Sequence, residues 1–416
     1  MVLDRLTRLV LTICCLATPT LQAAAPPSAE EMWQIIQEQQ KQIEALKEQL
    51  EATNEKVKET DEKVDVAGEM IEQAESKVSK AASWAENTQI GGYGELHYNN
   101  LDSKEEVDFH RFVLFFNHQF SDKIRFYSEL ELEHAVSGDD ENGEVELEQA
   151  YIEFDLSATQ HAQAGLFLLP VGILNETHEP TTFYGVERNP VETNIIPTTW
   201  WEAGGGFHGE LAKGFSYDVY GTSGLDVNQS GGNAYLIRNG RQKVSEAKAN
   251  DGAVTGRIKW TGMPGVELAT SLQWQKDVTQ GDRGVGATLF EAHADIQRGP
   301  FGLRALYARW DLDKSNVINA ADPAAVGRDE QVGWYVEPSM KGRLWRIPGE
   351  LGVFTRYNVW DNNKGSSTTD SQMKQVNVGL NYWPHPDVVF KFDAQQQDND
   401  GAKNDNGFNL GMGYQF

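Results

Sequence analysis

The last ten residues, Gly407 to Phe416 (GFNLGMGYQF), put Phe408, Leu410, Met412, Tyr414 and Phe416 on every second position, with Gly407, Asn409, Gly411, Gly413 and Gln415 between them. Side chains alternate faces along a β-strand, so one face of this segment is apolar and the other is small and polar. A strand of that kind ending on an aromatic carboxyl terminus is expected to close a transmembrane β-barrel, whose outside meets lipid and whose inside meets water. Tyr414 and Phe416 would then serve as the signal read by the barrel-assembly machinery. Taken alone, the segment also fits a half-buried edge strand, so the rest of the chain must decide.

From Asn87 onward the chain alternates in the same way, with Gly, Tyr, Phe and Trp throughout, and sixteen strands are predicted between residues 89 and 416. The links alternate too. Ser121-Asp122, Ser157 to Gln160, Lys213-Gly214, Gly262 to Pro264, Gly299-Pro300 and Pro384 to Pro386 are tight, whereas Gly172 to Thr199 and Leu225 to Asn250 are long. Short turns at one end and long loops at the other are the rhythm of an antiparallel outer-membrane barrel at residues 88–416. Phe120, Trp260, Trp383 and Phe416 near the turns, and Trp274, Trp310 and Trp360 near the loops, are expected to form two aromatic girdles against outer-membrane lipid.

The strand period separates lipid from lumen. In the third strand Ile124, Phe126, Leu130 and Leu132 point out, and Arg125, Tyr127, Glu129, Glu131 and Glu133 point in. In the fourth, Ala150, Ile152, Phe154 and Leu156 point out, and Gln149, Tyr151, Glu153 and Asp155 point in. Arg111, Arg257, Lys259, Arg356 and Lys391 join the inner face, while Arg304 and Arg309 have opposite parity and leave the eleventh strand ambiguous. An interior with this much charge is expected to be a hydrated channel rather than a packed core. Its acidic excess favours cations, weakly and in a salt-dependent way.

The amino-terminal part has a different texture. Arg5 and Arg8, an apolar run from Leu9 to Leu16 and Leu21-Gln22-Ala23 have the layout of a secretory signal peptide over residues 1–23. Cys14 and Cys15 fall inside it, so the mature chain has no cysteine for disulfide or thiolate chemistry. Acylation at either one would normally need a small residue just before it, which Ile13 is not. Residues 28–86 are rich in Glu, Gln, Lys and Ala, and Ile36, Ile43, Leu50, Val57, Val64, Ile71, Val78 and Ala85 recur every seven residues. That period predicts an α-helical coiled-coil stalk, placed in the periplasm by the even strand count. With no later run of 18 apolar residues, a helical membrane protein is not expected.

Composition narrows the partners. A formal net charge of -26 over 416 residues argues against nucleic acid. His97, His110, His118, His134 and His161 lack ligand spacing such as His-x3-His, so no metal or other cofactor is expected. A surface hydrolase would need a serine beside His118 or His293, and no local motif marks one, so the chain is not expected to be an enzyme. The structural rival to a channel is an envelope tether, in which the stalk reaches the cell wall and the barrel serves as its anchor.

Three segments resemble the phosphate-selective porin family of the O and P type: QAGLFLLPVGI at 163–173, FYGVERN at 183–189 and QVNVGLNYWPHPD at 375–387, which leads into Lys391-Phe392-Asp393. The resemblance runs from about Ile90 to the end. It implies a homotrimer of sixteen-stranded outer-membrane channels whose third loop folds into the pore. Glu176, His178, Glu187, Arg188 and Glu192 become constriction candidates on that basis. The chain departs from the family in reading Trp200-Trp201-Glu202-Ala203-Gly204 where an arginine is usual, and in the acidic inner face of its third and fourth strands. A general diffusion channel for small hydrophilic solutes is therefore expected, with a phosphate- or anion-selective porin as the alternative.

Overall fold

A computed structural model describes residues 28–136, 143–281, 284–313, 323–344, 346–365, 371–399 and 404–416, so the expected signal peptide lies outside the described residues. The chain divides into a helical unit and a barrel unit. Helix α1 (Ala29–Glu86) starts at a capping box: the Ser28 hydroxyl accepts from Glu31 N at 3.2 Å, and the Glu31 carboxylate accepts from Ser28 N at 2.8 Å. It contains no proline and a single glycine, Gly68. Along it Ile36, Ile43, Leu50, Val57, Val64, Ile71 and Val78 are each more than half exposed.

The barrel is closed and antiparallel throughout, as expected. Its strands are β1 (Thr88–Leu101), β2 (Glu105–Ser121), β3 (Ile124–Glu133), β4 (Val145–Asp155), β5 (Gln160–Leu168), β6 (Trp201–Ala212), β7 (Phe215–Thr222), β8 (Ala253–Met263), β9 (Val266–Gln275), β10 (Ala287–Arg298), β11 (Phe301–Leu312), β12 (Glu330–Gly342), β13 (Glu350–Asp361), β14 (Met373–His385), β15 (Val388–Asn399) and β16 (Gly407–Gln415). β16 pairs with β1 from Tyr93 opposite Gln415 to Leu101 opposite Gly407. Gly92 and Phe416 exchange backbone hydrogen bonds of 3.0 and 2.9 Å, so no edge is left open at the seam.

Alternation sets the faces. On β9, Leu268, Leu272 and Trp274 are exposed on the outside, and Ala269, Ser271, Gln273 and Gln275 are buried inside. Of the register shifts, two fall away from the short turns and change the phase within the strands. Phe109 and His110 together face Leu96, and Glu148 is an extra residue between the Leu130–Leu147 and Glu129–Gln149 pairs. The second bulge turns Glu148 inward beside Gln149 and buries it completely.

Register also corrects the girdles. Trp310, Trp360 and Trp383 face inward and are buried, whereas Phe120, Trp274 and Phe416 are exposed. On β11 the inward set is Arg304, Leu306, Ala308 and Trp310, which resolves the ambiguity: Arg304 pairs with Asp295 at 2.9 Å inside, and Arg309 pairs with Asp311 at 2.7 Å outside. The interior is correspondingly less watery than its charges suggest. Trp310, Tyr335 and Trp360 of the wall pack with Val191, Ile195 and Ile196 of the third loop (residues 169–200) and with Leu225, Tyr235 and Ile237 of the fourth (223–252).

Candidate functional site: the loop-narrowed lumen

The third loop owes its shape to one buried carboxylate. Helix α2 (Pro190–Asn194) opens with proline, and Asn189 caps it by accepting from Glu192 N at 2.9 Å. Glu192 Oε2 accepts from Ile173 N at 2.9 Å and Leu174 N at 2.6 Å, and its Oε1 accepts from the Tyr335 hydroxyl at 2.8 Å. Expected at the constriction, Glu192 is instead fully buried and folds the loop back on itself.

The barrel wall then grips the loop around its circumference. The Arg111 guanidinium donates to His178 O at 3.2 Å, Trp383 Nε1 to Thr181 O at 3.2 Å and Arg356 to Tyr184 O at 3.2 Å. Val186 N donates to Asp393 at 2.8 Å, Asn99 Nδ2 to Glu187 at 2.9 Å, and Arg257 holds Glu176 in a short ion pair. Lys391 Nζ lies 3.4 Å from the centroid of the Phe183 ring. Arg111, Glu129, Glu131, Arg257, Arg356 and Lys391 face inward as expected and lie mostly buried in the wall or under the loop, where Arg257 and Arg356 still line lumen cavities. His178 is buried with them.

Cavities lie in the lumen at both ends of the loop-narrowed region. The one at the loop end, about 530 Å³, is lined by Glu133, Glu146, Glu187, Arg188, Arg238 and Arg241 among others. Lys243 forms short ion pairs with Glu144 and Glu146, and Glu187 sits 3.2 Å from His97. The arginines are served differently. Among the described residues their hydrogen bonds go to neutral oxygens: Arg188 to Thr199 Oγ1 at 3.5 Å, Arg241 to Thr199 O at 2.5 Å and Arg238 to Thr193 O. Burial, and then repulsion from Arg241 and Arg188, pushes the Arg238 guanidinium down to about 10. Burial is also the leading cause that lowers Arg241 and Arg188.

At the turn end a cavity of about 480 Å³ is lined by Glu176, Arg257, Lys259, Glu267, Asp295 and Arg304. Here the charges are matched. Lys259 lies 3.8 Å from Glu267, and Arg304 is paired with Asp295. On the nearby wall Arg125 bridges Glu153 at 2.7 Å and Asp155, while His161 and His208 contact Asp155 at 2.6 Å and Glu153 at 3.0 Å. Tyr151 stacks on Tyr127 at 5.2 Å.

Sequence reasoning missed Arg238 and Arg241, which sit in a loop without periodicity. It also missed Glu148, although the phase break between Glu144-Val145-Glu146-Leu147-Glu148 and Gln149-Ala150-Tyr151 was a readable sign of the bulge. The histidines, expected to be scattered, are in part brought together: His97 and His110 stack at 4.6 Å, and His110 and His134 both meet Asp108, at 3.1 and 2.8 Å. His293 is buried between Glu291 and Glu267, so it is not on the outer face that a surface hydrolase would need.

A closed sixteen-stranded barrel with an infolded third loop and polar cavities at both ends is the architecture of an outer-membrane porin. The model of the family described as phosphate-selective porin O and P matches residues 90–416, and the chain belongs to that family. It is 30% identical over 358 residues to an uncharacterized protein of Aquifex aeolicus (strain VF5), covering 81% of this chain and 82% of that one. In fold it is similar to a loop L8 deletion mutant of OmpT, an outer membrane protein of Vibrio cholerae, with TM-score 0.52, 12% identity and coverage of 79% of this chain and 99% of that one. It is also similar to the outer membrane channel DcaP of Acinetobacter baumannii, with TM-score 0.50, 13% identity and coverage of 79% and 97%.

Proposed function

We propose that the barrel is a passive route across the outer membrane for small hydrophilic solutes, and that its loop-end cavity favours anions. The observation that carries this reading is the trio Arg188, Arg238 and Arg241, whose hydrogen bonds go to neutral oxygens. A cation lean was expected from Glu129, Glu131, Glu133, Glu153 and Asp155, but Arg125, His161 and His208 compensate Glu153 and Asp155, and Glu129 and Glu131 are buried. Guanidinium groups suit compact oxyanions such as phosphate or carboxylate because their forked N–H groups match two oxygens at once. Lining a low-dielectric passage, three such charges bias which ions enter it. The test is the reversal potential of purified protein in a planar bilayer across a KCl gradient. A potential on the chloride side, reduced in conductance by added phosphate, supports the reading; one on the potassium side returns selectivity to the acidic wall.

We read the assembled protein as a homotrimer with α1 as a periplasmic coiled-coil stalk and residues 1–23 as its export signal. A trimer form of OmpT from Vibrio cholerae is among the similar folds and supports the number. The apolar seam of α1 supports association, since seven large aliphatic side chains gain nothing in water. A helix of this length extends on the order of 80 Å, which keeps a second role as a tether to the cell wall in view. Conductance separates the roles, because an anchor closed by its third loop passes little current.

A further inference from the structure

We propose that His178, Glu129 and Glu148 form a binding site for a divalent transition-metal cation of the zinc class, which clamps the third loop to the β3–β4 wall. The three offer ligand atoms within 4.8 Å of one another, and all three are buried. His178 Nε2 lies 3.4 Å from Glu148 Oε2 and 3.6 Å from Glu129 Oε1. Those separations are long for a hydrogen bond and close to the edge of a tetrahedron, about 3.4 Å, drawn around a cation at ~2.1 Å from each ligand.

The surroundings orient each ligand as a metal site requires. His178 Nδ1 lies 3.2 Å from Asn175 O, so a proton there donates to the carbonyl and leaves the Nε2 lone pair for a cation. Glu129 Oε2 accepts from Gln149 Nε2 at 2.8 Å, and its Oε1 is 3.3 Å from the Tyr93 hydroxyl, which fixes the carboxylate toward the imidazole. Glu148 is 0% exposed, and neither of its carboxylate oxygens has a hydrogen-bond partner, nor does His178 Nε2. Buried carboxylates without partners are strongly unfavourable.

Arg111 is near but makes no hydrogen bond or ion pair to Glu129 or Glu148. It is committed to Glu95 at 2.5 Å and reaches toward Glu131 at 3.7 Å. Glu131 is equally buried, with both oxygens lacking a hydrogen-bond partner, so it adds negative charge to this part of the wall. One nitrogen with two carboxylates selects the zinc class over calcium or magnesium, which take oxygen ligands. Of the other three ligand clusters among the described residues, two are already satisfied, with Asp108 accepting from both His110 and His134 and Arg125 at the centre of the Glu153–Asp155–His161 group, and the third, Glu131, Glu133 and Glu146, holds carboxylates alone.

The clamp is independent of which solutes pass. A proton could serve the same trio by making His178 an imidazolium, and direct metal measurement separates the two. Full-length protein purified in detergent is stripped with EDTA, equilibrated with Zn²⁺, freed of unbound metal and analysed by mass spectrometry. About one zinc per chain is expected, with affinity lowered at least about tenfold in Glu148→Gln and in His178→Gln and unchanged in His134→Asn. Co²⁺ in place of zinc should give the intense visible band of a four-coordinate site. Chelation should also lower the temperature at which the barrel loses its heat-resistant gel mobility, in the unmodified protein but not in Glu148→Gln. Folded unmodified protein that takes up no zinc overturns the proposal, as does zinc kept by His178→Gln and lost by His134→Asn. If His178→Gln does not fold, the unmodified protein's stoichiometry and cobalt spectrum decide.

Discussion

A methyl group added at Gly413 of β16 would come within 2.3 Å of Pro180 Cβ in the third loop. Two residues earlier, a methyl at Gly411 would meet the Val186 methyls at 3.1 and 3.2 Å. The small inward face of the last strand is thus a seat for the loop. Pro180 has a rigid ring, and Val389 Cγ1 stands 3.3 Å away on the neighbouring strand, so neither side yields easily. Gly413→Ala is expected to push the loop off the wall at a cost of roughly 1–3 kcal/mol. Single-channel recordings should show a larger, noisier conductance, and the barrel should melt earlier. Gly411→Ala should do less, because methyl groups can shift by tenths of an ångström. Identical recordings from Gly413→Ala and the unmodified protein would mean that the loop does not rest there.

The arginine trio makes a second prediction. Replacing Arg238 and Arg241 by Gln keeps the polar length of each side chain and removes two of the three guanidinium charges. The anion-to-cation permeability ratio should fall several-fold at about 0.1 M salt, and the difference should shrink at about 1 M, where the screening length drops to ~3 Å. Reversal potentials at the two salt concentrations measure it. A ratio that does not move at low salt counts against the loop-end cavity as the selecting region.

Much of the barrel was legible because each strand faces two different media. That two-residue period gives the sixteen strands and the closure of β16 on β1, and it places Glu129 and Glu131 inside. It loses its authority wherever the phase slips: the bulge at Glu148 hid a buried acid, and the one at Phe109–His110 hid the approach of Asp108 to His134. Trp310, Trp360 and Trp383 were misplaced for a related reason. A tryptophan near a strand end suits a lipid interface and a packed loop equally, and only its parity against neighbours such as Leu306 and Ala308 tells them apart. Arg238 lies in a loop with no period, so its place came from Tyr235 and Ile237 burying themselves against the third loop.

A pH-sensitive loop gives a third prediction. Asp277, between β9 and β10, accepts from Thr279 N, Thr279 Oγ1, Gly281 N, Gly284 N and Val285 N at 2.6 to 3.0 Å. Burial raises its pKa, but the hydrogen bonds outweigh burial and hold the carboxyl below its usual range. A depressed pKa contributes stability that is present above the unfolded value, about 3.9, and lost as pH falls through the folded one. The loop should hold at neutral pH and loosen only in strong acid. Asp277→Asn should loosen it already at neutral pH by about 1–3 kcal/mol, since the amide nitrogen would face backbone N–H groups. Faster hydrogen exchange over residues 277–281 in Asp277→Asn at pH 7 checks this, and unchanged exchange contradicts it.

The stalk carries the last prediction. Val57 and Val64 of α1 are 52% and 62% exposed in a single chain, and they lie in register with Ile36, Ile43, Leu50, Ile71 and Val78. Packing that seam between chains removes apolar surface at roughly 25 cal/mol per Å². The other core layer is small and polar at Thr53, Thr60, Ala67 and Ala74, so the valines and isoleucines must carry most of the association. Val57→Asp with Val64→Asp would set charges from every chain against one another at the centre of the bundle. Crosslinking in mild detergent should give trimers of the unmodified protein joined through α1, and the double variant should lose those products and much of its helical circular dichroism on warming. The strand signal and the single-channel conductance should stay the same, because the substituted residues lie outside the barrel unit. Crosslinking that yields only monomers before any substitution would refute the coiled coil.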